Sequence, residues 1–355
     1  MSSIKIKMVA LGLVFSMSTM TIGQGLEGTI QQLVETNGIE YISPLVTAFG
    51  TGMNSGTFST ANSHKLLGFD VSINAALVSI PSEANTFTFF IPDNIPFSLD
   101  LSNDGLGTYD FTFDGNQLYP GARKSSTFFG KKVSNTIAAD ASYLEGSLED
   151  QLVADGVNPT IAANLASTYA SSTANELNIL TPVGFDFSSL PTVMPSISIG
   201  LPYDIELTLR GAPEIESDDI GKVSFIGYGA KIGLNRFIPM DIGVLPRLSV
   251  GYYINTLKVG DIIDAESTIL NIQASKKLLF LTVYGGYGIE STTVDIDYTH
   301  DDGTDVSFTV DGKNENRFLV GARMKMLFFS FNVDYNVGEY NAINAGLSFS
   351  DRKSV

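Results

Sequence analysis

The densest group of chemically capable side chains lies in Val294–Asp305 (VDIDYTHDDGTD), where Asp295, Asp297, Asp301, Asp302 and Asp305 crowd one stretch with His300. Clustered carboxylates are hard oxygen ligands, so a weak Ca²⁺ site is one reading. The spacing is not that of an EF-hand loop. A solvated hairpin with Asp302-Gly303 at its turn explains the same residues and is preferred. Gly50-Thr-Gly52-Met-Asn-Ser-Gly56 lacks the spacing and the strand–turn–helix frame of a dinucleotide loop. His64 has no visible nucleophile or base beside it, so it reads as structural, and no catalytic residue, enzymatic activity or cofactor is expected. The chain has no Cys and two His. That removes thiol chemistry, disulfides and Cys-based metal sites, and leaves little for a His-rich zinc centre.

A second set is charged and spread along the chain. Arg210, Lys231, Arg247, Arg317 and Arg323 fall on the polar faces of alternating segments, and Asp204, Glu206 and Asp334 share that environment. Salt bridges that hold the fold in shape are the preferred reading. The functional alternative is a basic track for an anionic solute or a carboxylate head group.

The segments that carry these residues alternate with period two. Tyr203, Ile205, Leu207 and Leu209 oppose Asp204, Glu206, Thr208 and Arg210, while Leu327, Phe329, Phe331, Val333 and Tyr335 oppose Ser330, Asn332, Asp334 and Asn336. From Met194 onward such segments follow one another to Phe349, with an earlier one at Phe69–Ser79 and weaker ones near Thr86–Ile91 and Tyr109–Phe113. Each has one apolar and one polar face. A soluble sandwich would also alternate, hiding its apolar faces between two sheets. Three features favour a lipid-facing barrel. The polar faces are rich in Gly, Ser, Asn, Arg and Asp, very short turns alternate with longer acidic links, and Phe and Tyr recur near segment ends. In hydrocarbon every backbone group needs a partner, so such a sheet must close. Nine late strands plus three early ones predict about twelve, within roughly ten to fourteen.

The chain has 355 residues and a formal charge of −17, with only 17% charged residues. An acidic chain repels phosphate backbones, so nucleic acid is not an expected partner. Met1–Lys7 holds two lysines, Met8–Phe15 is apolar, and small residues Thr21 and Gly23 precede Gln24. That order predicts a cleaved signal peptide over residues 1–23. Residues 24–62 read as a helical segment, Leu26–Ala48, with Pro44 limiting its continuation, followed by the glycine-rich loop Phe49–Gly56. The barrel is assigned to residues 63–355, with a helical insertion at about 137–177 whose second helix starts after Asn158-Pro159. Asn235–Pro246 reads equally as a rim segment at the membrane interface and as an ordinary turn.

The strings FGTGMNSG (Phe49–Gly56), HKLLGFDVSINA (His64–Ala75) and LPTVMPSISIGLPYDIELTLRG (Leu190–Gly211) resemble a family of Gram-negative outer-membrane-type barrels known as a domain of unknown function. A helical segment ahead of a barrel is also similar in architecture to the long-chain fatty-acid transporters. The expected class is therefore all-β with helical insertions: a closed antiparallel transmembrane β-barrel with N-terminal and internal helical plug or cap segments. The expected location is the outer membrane, with membrane lipid and a small anionic or amphipathic solute as partners, in porin-like or transporter-like passage or binding. The alternative is a secreted or surface-associated β-rich protein, structural or adhesive, with no pore.

Overall fold

The computed structural model describes residues 27–217, 221–237, 245–260, 262–299 and 305–351. The predicted signal peptide and most of Asn235–Pro246 lie outside the described residues. The described chain divides into two units. One comprises residues 42–82 and 187–351, the other 27–41 and 83–186.

The first unit is the barrel. Its strands are β1 (Phe69–Ser79), β8 (Ser189–Leu201), β9 (Ile205–Ser217), β10 (Gly221–Gly233), β11 (Arg247–Val259), β12 (Ile263–Leu278), β13 (Leu281–Thr299), β14 (Asp305–Asp311), β15 (Asn316–Met326), β16 (Phe329–Val337) and β17 (Ala342–Ser350). All pairings are antiparallel. β1 pairs with β8 on one side and β17 on the other, and β12 with β13 completes the circuit. β14 pairs only with the far half of β13, so ten of the eleven strands form the ring.

Alternation sorts the side chains. Ile73, Leu209, Ile272, Val320, Val333 and Ile343 point outward and are about half exposed, while Arg210, Gln273, Asn332, Asp334 and Asn344 point inward and are buried. This inverts an ordinary core, because the apolar face is on the outside and the polar face within.

The ring corrects the expected twelve strands to ten. The nine late strands are all present, but only one early strand joins them. Thr86–Thr88 (β2) pairs with Lys124–Ser126 (β5), and Thr108–Asp114 (β4) pairs with Asn94–Asp100 (β3), in small ladders of the second unit. The physical reason is their side chains. Phe87, Phe89, Phe111 and Phe113 are buried, so these segments pack around an aromatic core and present no apolar outer face. The second unit also holds a two-residue ladder of β6 (Thr136–Ile137) with β7 (Ile179–Leu180), and helices Ala141–Ala154 and Pro159–Glu176. Asp140 and Asn158 cap those helices by accepting bonds from the first-turn amides, and Pro159 fills the first turn, where a missing N–H costs nothing.

The N-terminal helix differs from expectation at its end. It runs Glu27–Met53, through Pro44 and into the glycine-rich string. Proline removes one intrahelical bond, and in the following turns the Thr47, Thr51 and Ser55 hydroxyls donate to the carbonyls four residues back, at 3.0, 2.8 and 2.7 Å, a pattern that bends a helix without restoring the lost N–H.

Candidate functional site

The inward faces of the ring converge on a segment of the same unit, Thr47–His64. This is the last part of the long helix and the extended chain after it. Alternation decides which wall residues reach it, since only every second residue of a strand points inward.

Arg210, on β9, is 1% exposed. Its guanidinium donates to the Met53 carbonyl at 2.7 Å, the Ser55 carbonyl at 2.6 Å and Asn255 Oδ1 at 3.2 Å. Arg317, on β15, pairs with Glu290 Oε2 at 3.0 Å and donates to Ser55 Oγ at 3.1 Å and the Thr51 carbonyl at 2.8 Å. Asn54 is held from two sides. Its amide donates to Glu290 Oε2 at 3.0 Å, and its oxygen accepts from Asn255 Nδ2 at 3.1 Å. Asn314 donates to both Thr51 Oγ1 and Glu290. A helix C-terminus leaves carbonyls unsatisfied and carries partial negative charge, so two guanidiniums at Thr51, Met53 and Ser55 satisfy those acceptors.

A second cluster holds the extended part. Lys231, on β10, lies 2.8 Å from Glu206 Oε1 and donates to the Asn62 carbonyl at 3.1 Å and the Thr60 carbonyl at 3.3 Å. Glu206 Oε2 lies 2.6 Å from His64 Nδ1 and accepts the His64 backbone N–H at 3.0 Å. Between the clusters Phe58 packs edge-on against Tyr284, centroids 5.8 Å apart, and Tyr284 donates to Asp334 at 2.8 Å.

The glycines of FGTGMNSG follow from this closeness. A Cβ on Gly50 would sit 2.1 Å from Thr292 Oγ1 on the wall, and Gly56 adopts φ +64° beside Asn74.

Of the expected basic set, Arg210, Lys231 and Arg317 lie on the inner wall and bind the internal segment. Arg323 is half-buried further toward the short-turn rim, with Nη2 donating to Ser330 Oγ at 3.0 Å. Arg247 starts β11 and is exposed. Of the acidic set, Glu206 and Asp334 are buried on the wall. Asp204 is not on it: it lies in the exposed turn Pro202–Asp204, where its carbonyl accepts from Ser63. Asp295 and Asp297 are exposed on β13, and Asp295 accepts from Thr309 of β14 at 2.6 Å. Asp301 and Asp302 lie outside the described residues, as does the side chain of Asp305. Among the described residues no three His, Asp or Glu side chains converge as a metal site.

Sequence reading missed Glu290, Asn54, Asn255 and Asn314 as members of the network. Glu290 and Asn255 had a signal, being polar residues on the inward parity of long strands. Asn54 and Asn314 lie outside the alternating segments and had none.

A profile described as a family of unknown function, DUF6588, matches residues 1–350. The chain belongs to this family. No curated protein matches it. Among solved structures it is similar to the KdgM porin, at 12% identity and TM-score 0.24, covering 45% of this chain and 93% of that one. It is also similar to OmpT, an outer membrane protein of Vibrio cholerae, at 11% identity and TM-score 0.23, covering 83% and 99%. A third likeness is to Salmonella typhi OmpF in complex with daunomycin, at 9% identity and TM-score 0.23, covering 81% and 98%. The barrel of this DUF6588 chain rests on its own ring of ladders, not on these likenesses.

Proposed function

We propose that this DUF6588 protein is an exported outer-membrane β-barrel, porin-like or transporter-like, that binds or passes a small or amphipathic solute. Its lumen is plugged by Thr47–His64 at rest. One observation carries the reading: a closed ring with an apolar outer belt encloses a polar interior already occupied by the chain's own segment. The belt has membrane dimensions. Along β13 the outward face runs Leu281, Val283, Gly285, Tyr287 and Ile289, then turns to Ser291, Asp295 and Asp297. At roughly 3.3 Å per residue and ~40° of tilt, that run rises roughly 20 Å, and the exposed apolar tip Leu279–Phe280 beyond it extends the belt toward the ~25 Å of the apolar band in barrels of this kind. Lipid is therefore the partner of the outer face, and the signal-peptide pattern supplies the export route.

The plug reading rests on the two clusters and on the space they leave. The cavity lined by Phe58, His64, Asp70, Asn74, Glu206 and Lys231 is only about 50 Å³, far below the ~300 Å³ at which small-molecule sites begin. Passage would require the segment to shift. In this reading the basic residues act as a latch on the plug, not as a track for solute, and the protein performs no catalysis.

Membrane fractionation and gel mobility test the barrel: the unboiled protein should sediment with membranes and migrate as a compact form that heating abolishes. Planar-bilayer recording tests the plug. The native protein should be nearly silent, and Arg317→Ala should open measurable conductance. Recovery of the native chain as a monodisperse species without detergent would overturn the membrane reading. A native channel as open as the variant would overturn the plug.

A further inference from the structure

The short-turn rim of the barrel carries a larger cavity, bordered at its base by the end of the plug. It measures about 990 Å³, and its lips are two hairpin tips, Leu279–Phe280 and Leu327–Phe328. Three cations, Lys277, Arg323 and Lys325, and one carboxylate, Asp351, line its wall, and Asn62 and His64 form part of its floor.

The lips are unusual in chemistry and conformation. Leu279 is 87% exposed and Leu327 88%. Both adopt left-handed backbone, φ 59° and 56°, a place tight hairpins ordinarily give to Asn or Gly. The same rim shows Leu67 and Tyr203, also left-handed and well exposed. Four apolar residues thus occupy positions where a polar residue would be conformationally easier. The wall has the opposite character. Among the described residues Arg323 is in no ion pair, and its Nε is buried with no hydrogen-bond partner. Lys277 is exposed.

We infer that this vestibule binds a single-chain anionic amphiphile, with a carboxylate or phosphate head on Arg323 and Lys277 and an acyl chain lying along the Leu279–Phe280 and Leu327–Phe328 tips. A planar guanidinium suits an oxyanion in two-point contact. A free anion would leave the apolar lips in water, and a neutral lipid would gain nothing from the cations on the wall. The inference rests on the membrane reading, because an acyl chain reaches these tips only if the rim lies at the lipid boundary.

The test is calorimetric titration of the full chain in non-ionic detergent with dodecanoate and with dodecyl phosphate. Inorganic phosphate is the head-only control and dodecanol the tail-only control. At least one amphiphile should bind tenfold or more tighter than either control, and whichever head binds names the anion. Arg323→Gln should weaken that binding at least tenfold. Leu279→Ser with Leu327→Ser should bring it down to the level of inorganic phosphate. Controls that bind as well as the amphiphiles, or no amphiphile binding at all, would overturn the site. Heat-modifiable mobility checks that each variant folds. If Arg323→Gln does not fold, Lys277→Gln at its exposed position carries the test, with a loss of at least threefold expected and no loss overturning the site. Vesicle flotation separates the two proposals. A protein that floats and shifts on heating but does not bind rejects the vestibule alone, whereas one that does not float rejects the membrane reading.

Discussion

Arg317 and Glu290 meet at 3.0 Å across the neighbouring strands β15 and β13, and both also reach the internal segment, Arg317 at Thr51 and Ser55 and Glu290 at Asn54. The pair therefore ties wall to wall and wall to internal segment at once. Neither side chain is more than 5% exposed, so each partner depends on the other for compensation.

Removing one member should cost more than removing both. Arg317→Ala leaves a buried carboxylate facing Asn54 and Asn314 without its cation, and a loss of about 3–5 kcal/mol is expected. Adding Glu290→Gln should recover a large part of it. Urea midpoints read from the heat-modifiable band measure both. Equal stability of the single and double variants would mean the pair is not coupled.

The internal segment's fit against the wall makes Gly50 intolerant of a side chain. A Cβ there would lie 2.1 Å from Thr292 Oγ1 and 2.8 Å from Thr292 Cβ. Gly50→Val should loosen residues 47–64, raising both their protease sensitivity and the bilayer conductance. Thr292→Gly in the same chain should reverse part of the effect. A variant as silent and protected as the native protein would place the plug elsewhere.

The outer belt predicts a cost that a water-facing surface would not show. Val333 is 58% exposed on β16, between Ala322 and Ala345. Val333→Arg should destabilise folding into phospholipid vesicles by about 2–4 kcal/mol, the cost of a cation near the bilayer midplane. Val333→Leu should be nearly neutral. In a soluble protein the arginine at so exposed a site would change little.

Acid should loosen the second unit locally. The Gln117 backbone N–H, then the Gln117 side-chain amide and the Asn116 backbone N–H, hold the Asp114 carboxyl below its ordinary range as it caps the turn Gly115–Leu118. Asp100 is held low in the same direction by Ser102. A depressed carboxylate contributes stability that is present above the unfolded value near ~3.9 and lost as pH falls through the folded one. The protection of the Asn116 and Gln117 amides against hydrogen exchange, taken relative to their intrinsic rates, should therefore fall below about pH 4. Asp114→Asn should flatten that dependence, and an unchanged pH profile in the variant would reject the assignment.

Sequence alone determined the ring's materials. Period-two alternation named the nine late strands and the early one at Phe69–Ser79, because a pleated strand must put successive side chains on opposite faces. It also put Arg210, Lys231, Arg317, Glu206 and Asp334 on one side of the wall. Only tertiary structure decided what those residues touch. Whether a basic inner wall faces water or a helix end depends on where Thr51, Met53 and Ser55 come to lie, and no local pattern encodes a contact between Ser55 and Arg210, so distant in sequence. Strand number was decided the same way. Phe87 and Phe111 have strand propensity anywhere, and only a nearby aromatic core withdrew them from the ring. Pro44 and Gly50 argue locally for a helix that stops early, yet the bonds of Arg317 and Asn314 to Thr51 and the close wall at Thr292 carry it on to Met53, because packing can outweigh a single lost backbone bond.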